Sequence, residues 1–336
     1  MAYLDDQDRP SAHPGFAIGM LALALISFGS LFYVWDFEGA FAGYAALFLM
    51  PFSLGALAAQ IGFFQFHKMG CLIAPTALFA IIFPFVYFGM AEGLVCILIV
   101  LPFWVAAGLG GALSAYIMRK QAERDEVEAN QERFRSTGWI ILPIALFMIE
   151  ESAPPAWTDH TVTREIEIDA PAETIWPLLV SIPDIGSEEG LPNFTHDIAG
   201  VARPSEAKLV RRDGELVRLA SWGEHIRFEE RITSIEPGRT IGWDFAFPDD
   251  SIQKYTDRHI APQGTMLHIE SGRYDLRSTG DRRSTLTLTT RYRIRSRMGF
   301  YLELWGERML GDVQENVLAI VKQRSEARPP DVRVAG

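Results

Sequence analysis

REIEIDAPAETIW, residues 164–176, joins the end of a strand to the start of a helix. The two isoleucines before Asp169 alternate with charged residues, which is the two-residue period of a half-buried strand. Asp169 can then cap a helix, Pro171 suits the first helical turn, and Glu173 complements the positive end of the helix dipole. The stretch therefore predicts a strand followed directly by a helix.

Several further strands are predicted downstream of this stretch. We expect them at residues 206–213, 215–222, 224–235, 240–248, 265–278 and 284–296. Turn signals such as Asp213-Gly214 and Pro237-Gly238 separate them. The last strand has an apolar face made of Leu286, Leu288, Tyr292 and Ile294. Threonine and arginine side chains share its other face, so we expect an antiparallel sheet with one wet side.

A long helix is predicted to close the chain, from Gly299 to Arg324. Apolar residues recur along it at three- and four-residue spacing, which is typical of an amphipathic helix. The stripe consists of Leu304, Val313, Val317, Ile320 and Val321. A curved sheet clasped by one long helix can leave a cavity between the two. The sequence thus predicts an α+β domain at residues 155–326, followed by a disordered tail at 327–336.

This order of elements resembles the START-like helix-grip superfamily (SRPBCC), in its polyketide cyclase/dehydrase branch. The resemblance rests on residues 164–176 and on the closing helix, Leu302 to Arg324, and it covers residues 160–325. Internal segments are also similar to a membrane-anchored bacterial subgroup: 228–237, 257–260, 272–276 and 304–306. The resemblance implies a curved antiparallel sheet around the helix and an apolar ligand. Members bind lipids, sterols, polyketides or hormones, only some are enzymes, and no shared catalytic set carries over.

Residues 1–150 contain long uncharged apolar runs. A helix of about 20 mostly apolar residues crosses the hydrocarbon core, where backbone groups must be paired internally. Four segments are predicted as transmembrane helices: 16–35, 41–66, 71–90 and 94–118. A fifth segment, 138–149, spans only about 18 Å at helical rise, and it either crosses or lies flat. The predicted architecture is a multi-pass helical membrane domain followed by a helix-grip domain.

Loop charges set the predicted orientation through the positive-inside rule. His67-Lys68 follow the second segment, and five lysines and arginines lie between residues 119 and 135 after the fourth. Acidic residues follow the first and third segments instead. The N-terminus is then cytoplasmic in a plasma (inner) membrane of bacterial type. If segment 138–149 crosses, the C-terminal domain emerges on the outer, periplasmic side, which we expect; otherwise it is cytoplasmic.

Composition and motifs argue against several classes of function. The net charge of −11 is unlike that of a nucleic-acid binder, which shows a basic face. No Asp, Glu, Lys or Arg lies in the middle of an apolar segment, which argues against a pump. The sequence has no Ser-His-Asp or Cys-His spacing and no glycine-rich nucleotide motif, so we expect no cofactor. Cys71 and Cys96 lie in apolar runs and are expected to act as small hydrophobic residues.

Candidate pocket residues occupy inward positions of the predicted strands and the closing helix. Glu230 shares one side of its strand with Phe228, and a carboxylate in an apolar pocket would have a raised pKa and act as an acid or bind a hydroxyl. The alternative for Glu230 is a salt bridge to an arginine on a neighbouring element. Tyr274 and Tyr292 combine a ring with one hydroxyl, which suits either ligand orientation or core packing. Trp305 is either a lid or a core residue.

The sharpest polar cluster in the sequence consists of Asp257, His259, His268 and Glu270. Each pair is spaced two residues apart, which on a strand places both side chains on one face. Two such strands side by side would offer four ligands to a zinc-like ion. The alternatives, a pocket rim containing the two histidines or a solvated surface, are preferred, and we expect no metal. Ser187 to Gly190 and His196-Asp197 lie where this fold usually has its entrance, and they either gate it or are merely solvated.

Three functions remain open from the sequence. The first is a membrane-tethered domain that senses or carries a lipid or other apolar small molecule, since a cavity fold beside a bilayer meets lipophilic ligands at high local concentration. The second is a cyclase- or hydrolase-type enzyme that uses Glu230, Tyr274 or the two histidines as acid–base groups. The third is a structural or regulatory membrane protein without a ligand. Membrane lipids are expected partners, nucleic acid is not, and the oligomeric state is open.

Overall fold

The computed structural model describes residues 14–34, 43–61, 69–89, 94–124, 129–257 and 260–327. The chain divides into two compact units. The first comprises Met1–Glu92 and Cys96–Pro155, and the second comprises Ala156–Gly336 with the short segment Gly93–Val95. The loop His67-Lys68, residue His259 and the predicted tail beyond residue 327 lie outside the described residues.

The first unit is built of helices. They are α1 (Pro14–Val34), α2 (Met50–Ala58), α3 (Gly70–Pro84), α4 (Leu94–Arg124) and α5 (Ala129–Ser152). Two π-helical turns adjoin them: Ala45–Leu49 leads into α2, and Phe85–Gly89 extends α3. The predicted segment 138–149 is therefore part of a helix of 24 residues, because the polar residues before it are helical as well.

Helix length and hydropathy do not match the four predicted spans. Within the described ranges, one helix is long and apolar enough to cross a membrane, Leu94–Gln121. Shorter apolar helices cover Gly15–Leu31, Ala45–Ala58 and Ile73–Pro84. Parts of the second and third predicted spans, at 41–42, 62–66 and 90, fall outside the described residues. One long apolar helix is thus found where four were expected.

Glycines let α2 and α4 approach through their backbones. A Cβ added at Gly55 would overlap the carbonyl group of Gly108, and one added at Gly111 would overlap the carbonyl group of Phe52. Such contact through small residues is common between membrane helices. The glycines of α1 share similar spacing, but no described atom lies within 4 Å of a Cβ added at Gly15 or Gly19. Gly108 and Gly111 of α4 therefore lie at a helix contact, whereas Gly15 and Gly19 of α1 contact no described atom.

A buried carboxylate caps one of these helical segments. Glu150, near the end of α5, accepts hydrogen bonds from the backbone N–H groups of Tyr44 (2.8 Å) and Ala45 (3.1 Å). The first N–H groups of a helix have no partner within it, and a carboxylate there complements the helix dipole. Glu150 thus caps the segment that begins at Ala45 from a different helix, a role that the sequence pattern does not predict.

The second unit contains a seven-stranded sheet in which all neighbouring strands are antiparallel. The strands are β1 (Thr158–Ile168), β2 (Pro204–Arg212), β3 (Glu215–Trp222), β4 (Ile226–Glu236), β5 (Thr240–Ala246), β6 (Leu267–Gly280) and β7 (Arg283–Ile294). Their order across the sheet is β1-β7-β6-β5-β4-β3-β2. All connections join adjacent strands except the one from β1 to β2, which crosses the whole sheet.

Helices pack against this sheet, and their side chains and those of the strands form a shared hydrophobic core. α6 (Ala172–Val180) and α7 (Phe194–Asp197) lie between β1 and β2, α8 (Ser251–Tyr255) lies between β5 and β6, and α9 (Gly299–Ala327) follows β7. The core residues shared by α6, α9 and the sheet include Ile168, Ile175, Leu179, Ile241, Leu286, Leu318 and Ile320. Each such side chain contributes about 1.5–3 kcal/mol through burial. We call the sheet face that these helices cover the inner face. An antiparallel sheet with a long helix on one face fits a helix-grip domain.

The predicted faces of β7 are confirmed, whereas part of the predicted helix stripe is wrong. Leu286, Leu288, Tyr292 and Ile294 are all buried. In α9, however, Leu304 is 64% exposed, and Leu302 and Leu310 pack against the sheet instead. A shift of two residues along a helix turns a side chain by about 200°, so Leu304 points away from the face that Leu302 covers.

The predicted pairing of Asp257 with His259 assumed a strand, and the described residues 255–257 do not form one. A helical turn, α8, occupies Ser251–Tyr255 and starts where the side chain of Asp249 accepts a hydrogen bond from the backbone N–H of Ser251 (2.9 Å). Asp257 follows this helix and is buried. Asp257 is therefore not part of a strand, and His259 lies outside the described residues.

Candidate ligand-binding site

A buried arginine and a buried carboxylate face each other across β3 and β4. Arg218 and Glu230 are direct partners in the strand register, and their side chains are only 5% and 8% exposed. The Nε of Arg218 donates a hydrogen bond to Glu230, and its Nη1 donates to the main-chain carbonyl oxygen of Leu179 in α6. The guanidinium carbon of Arg218 also lies 5.4 Å from the centroid of the Tyr274 ring on β6. We call Arg218, Glu230 and Tyr274 the polar triad.

Electrostatics keep the triad as an ion pair beside a neutral phenol. Burial acts to lower the pKa of Arg218, but the charge of Glu230 and the contact with Tyr274 outweigh it, and the pKa is raised overall. Burial raises the pKa of Tyr274 to about 12, and the negative charge of Glu230 adds to this. The neutral phenol keeps its O–H close to the charge of Arg218, and this O–H can donate to another group.

Aromatic side chains extend from the triad along the inner face of the sheet. Between ring centroids, Tyr274 lies 5.2 Å from Trp243, which lies 6.0 Å from Phe245. Phe245 lies 5.9 Å from Phe228, whose ring is 5.6 Å from that of Trp222. Phe247 joins the same set at 5.8 Å from Phe228. We call Trp222, Phe228, Trp243, Phe245, Phe247 and Tyr274 the aromatic row.

Trp243 occupies the middle of this row and covers a glycine. It is paired directly with Gly272 on β6, and a Cβ added at Gly272 would overlap the indole ring. The guanidinium carbon of Arg218 lies 4.7 Å from the indole centroid, in cation–π contact. The indole Nε1 is buried and has no hydrogen-bond partner within the part of the chain that the structure describes. The row therefore contains a buried N–H donor without a partner among the described residues.

The loop before β2 is held against α9 by buried polar residues. Asp312 accepts hydrogen bonds from the backbone N–H (3.0 Å) and the hydroxyl (2.8 Å) of Thr195 in α7. Asn316 accepts from the backbone N–H of Leu191 (2.8 Å) and is in close contact with Gly190, whose φ is +90°. These buried polar residues of α9 replace part of the expected apolar stripe, because they satisfy the backbone of the loop.

The predicted entrance loop is therefore anchored. Glu189 receives hydrogen bonds from Nε (2.6 Å) and Nη2 (2.7 Å) of Arg324, and this contact lowers the pKa of Glu189. Asp197 is paired with Arg203 at 2.7 Å. His196 is buried, and its ring lies 6.3 Å from Trp222 at the end of the aromatic row. Of the residues predicted at the entrance, His196 is the one that contacts the row.

Two other predicted pocket residues lie apart from the triad. Tyr292 is 2% exposed and belongs to a separate cluster with Val162 and Ile294, where burial raises its pKa to about 12. Its hydroxyl would lie 2.5 Å from a Cβ added at Gly306 of α9, so the ring packs closely under that helix. Trp305 is half-buried and lies 5.9 Å from the ring of Phe194 in α7. Both tyrosines thus face inward, but Tyr274 alone belongs to the triad.

His268 lies on the outer face of the sheet rather than in the pocket. It is paired with Arg293 in the strand register, and its ring lies 4.4 Å from that of Trp157. The adjacent residue, Ile269, packs with the inner cluster, so the side chain of His268 points the other way. Glu270 contacts Arg293 at 3.6 Å. Among the described residues no group of three or more His, Cys, Asp or Glu could hold a metal ion, and His259 lies outside them.

Sequence comparison gives no relative for this chain. No protein-family model matches it, and no curated protein matches it. Several solved structures cover about half of the chain. The strand order and the long C-terminal helix of the second unit identify its fold without these matches.

The similar structures are START and aromatase/cyclase proteins at low similarity. A truncated norcoclaurine synthase from Thalictrum flavum matches with TM-score 0.32 and 13% identity, covering 52% of this chain and 98% of its own. The Zhui aromatase/cyclase from Streptomyces sp. R1128 gives 0.32 and 16%, with 51% and 98% covered. A START superfamily protein from Mycobacterium smegmatis gives 0.29 and 14%, with 50% and 97% covered. Since these TM-scores are below 0.5, they add no evidence about function.

Proposed function

We propose that the second unit binds an apolar small molecule against the aromatic row, and that the first unit tethers it to a membrane. The polar triad carries the binding proposal. A buried ion pair is a poor way to gain stability, because desolvation of the charges offsets their attraction. It does, however, orient Tyr274, whose O–H can donate to a single polar group on an otherwise apolar ligand. Such a site would serve sensing or carriage of a lipid or similar molecule.

Surface composition supports the membrane tether. Ile26, Ile81 and Phe88 of the first unit are 67%, 70% and 81% exposed. Apolar residues that face outward on several helices favour a lipid environment, since large exposed apolar patches are rare on soluble proteins. We therefore propose a multi-pass helical domain in a plasma membrane of bacterial type, with a cytoplasmic N-terminus and α5 as the last span. The second unit is then on the outer side.

Reporter fusions test the proposed orientation. Alkaline phosphatase fused after Pro155 should be active, because the enzyme needs the oxidising outer compartment, and fused after Arg124 it should be inactive. A fluorescent protein that folds only in the cytoplasm should give the opposite pattern at the two sites. The reverse result at Pro155 would place the second unit in the cytoplasm and remove α5 from the list of spans.

Extraction of bound molecules tests the binding proposal. The full chain, purified in nanodiscs, should retain a lipophilic molecule that mass spectrometry of a solvent extract detects and that empty nanodiscs lack. Tyr274→Phe should reduce its occupancy, corresponding to roughly a 2- to 13-fold loss of affinity for one neutral hydrogen bond. Tyr292→Phe is the matched control, because that ring lies in the other cluster. Equal occupancy in both variants would contradict a role for the triad.

A cyclase- or hydrolase-type enzyme is the second candidate. The observation that favours it is the phenol of Tyr274, whose O–H is polarised by Arg218 and whose pKa of about 12 makes it a donor at neutral pH. Such a donor can stabilise negative charge that develops on a carbonyl oxygen. If the retained molecule is converted by the purified chain, Tyr274→Phe should lower kcat by about 10²–10³. Unchanged turnover in that variant would rule out this role.

A further inference from the structure

His196 carries a buried nitrogen that the triad leaves unexplained. Its Nδ1 lies 2.9 Å from the main-chain carbonyl oxygen of Val201. A carbonyl only accepts, so Nδ1 bears the proton in the neutral ring and Nε2 is left as a bare acceptor. Nε2 is buried, and no described residue offers it a hydrogen bond. An orphaned buried acceptor costs about 1–3 kcal/mol, so a native fold that keeps one calls for an explanation.

Burial holds this ring in its neutral form. It lowers the pKa of His196, and Arg203 lowers it further, whereas the contact with Val201 and the charges of Asp197 and Asp312 act in the opposite direction. The net shift is downward. At neutral pH the ring therefore presents a lone pair at Nε2 rather than a second N–H.

The surrounding structure fixes the position of the ring. The backbone N–H of His196 donates to the side chain of Asn193 (2.8 Å), whose amide donates to the carbonyl oxygen of Asp312 (3.2 Å). Thr195 is anchored on the carboxylate of Asp312 as well. The short helix α7 is thus tied to α9 on both sides of His196, and the Nε2 acceptor is held in place before any ligand arrives.

We propose that Nε2 of His196 is a second polar contact for the ligand and accepts a hydrogen bond from one of its hydroxyl or N–H groups. The ring adjoins Trp222, the half-buried end of the aromatic row, so a ligand that displaces the Trp222 ring reaches Nε2. This inference rests on the proposed function and extends it. The ligand is then an apolar molecule with an acceptor for Tyr274 and a donor for His196.

A pair of probes of equal shape tests the inference. We would measure the binding of 2-naphthol and 2-methylnaphthalene to the full chain in nanodiscs by calorimetry, with empty nanodiscs as the blank for partitioning into lipid. The natural chain should prefer 2-naphthol roughly fivefold, as expected for one net hydrogen bond. In His196→Asn the preference should disappear, because the Asn amide can still donate to Val201 but no acceptor remains at the Nε2 position. In His196→Gln, whose amide oxygen reaches that position, part of the preference should return.

The outcomes separate this inference from the proposed function. If the natural chain binds both probes equally, or if His196→Asn keeps the preference, the role of His196 is wrong while the aromatic site stands. If neither probe binds the natural chain, the aromatic site itself is wrong and the role of His196 is lost with it. Thermal melting of both variants checks that they fold. If His196→Asn does not fold, the probe preference of His196→Gln decides the test.

Discussion

Replacement of Glu230 by glutamine tests most directly whether Arg218 and Glu230 form a buried ion pair. The variant leaves the charge of Arg218 buried with 5% of its side chain exposed and with neutral partners only. Loss of one member of a buried pair costs about 3–5 kcal/mol, and because glutamine can still accept one hydrogen bond we expect the lower end, about 3 kcal/mol. In a unit of this size 1 kcal/mol shifts Tm by about 2–4 °C, so Glu230→Gln should melt about 6–12 °C lower.

Thermal unfolding in detergent micelles, followed by tryptophan emission, measures this shift. The probe is suited to the site, since Trp243 lies over the guanidinium of Arg218 at 4.7 Å. Glu229→Gln is the matched control on the same strand. Glu229 pairs with Arg212 at 2.5 Å, but the side chain of Arg212 is 54% exposed, and exposed pairs contribute at most about 1 kcal/mol. Glu229 also contacts Arg231 at 3.5 Å, whose side chain is 58% exposed. The control therefore leaves exposed arginines without this carboxylate, whereas Glu230→Gln leaves a buried one.

A double variant completes the test. Arg218→Met combined with Glu230→Leu removes both charges, and such replacements are commonly neutral or stabilising, so most of the lost stability should return. Two results would contradict this reasoning: Glu230→Gln melts within about 3 °C of the natural chain, or it melts no lower than Glu229→Gln. Either result would mean that the charge of Arg218 is not buried beside Glu230 as the structure shows.

The other predictions concern single features of the second unit. Because the pKa of Tyr274 is raised from 10.0 to about 12, stability should be full below pH 10 and fall as the pH rises toward 12. In Tyr274→Phe the free energy of unfolding should fall by about 2–3 kcal/mol less than in the natural chain between pH 8 and 12, as measured by thermal melts. Gly272→Ala should cost about 1–3 kcal/mol and shift the emission of the displaced Trp243. Asp312→Ala should leave two donors of Thr195 unpaired and speed amide exchange in α7, while the core strands stay protected.

The fold of the second unit could largely be predicted from the sequence because its strands and turns carry clear local signals. In β7 burial alternates along the whole strand, and the four predicted apolar residues are buried, together with Ser284 and Thr290. The stretch at residues 164–176 forms the end of β1 and the start of α6 as expected, but Pro171 rather than Asp169 occupies the N-cap and no side chain caps the helix. In α9 the pattern misled, because Asp312, Gln314 and Asn316 are buried there. Their partners lie far away in sequence, so periodicity cannot reveal that polar residues belong inside.

The site was harder to predict than the fold, and β3 shows why. Arg218 lies between two apolar residues, Val217 and Leu219, so alternation assigns the arginine to the wet face and its neighbours to the core. The strand register instead places Arg218 opposite Glu230 on the inner face. The salt bridge that the sequence left open for Glu230 is present, but its partner could be identified only from pairing. Likewise, His268 lies on the outer face, and a register shift between Ile269 and Ser271 interrupts the two-residue alternation at Glu270.

The interior of the second unit is divided into two chemically different halves. Where α6 and α9 cover β1, β7 and β6, most buried side chains are aliphatic, but the buried Oε1 of Gln314 in α9 also lacks a hydrogen-bond partner among the described residues. Toward β3, β4 and β5 the interior becomes aromatic and contains a charged pair, the unpaired indole N–H of Trp243 and the bare Nε2 of His196. Apolar side chains of similar volume would fill that half at equal or lower cost in free energy. Aliphatic packing accounts for most of the first half, and we propose that a ligand completes hydrogen bonds that the protein leaves open in the aromatic half.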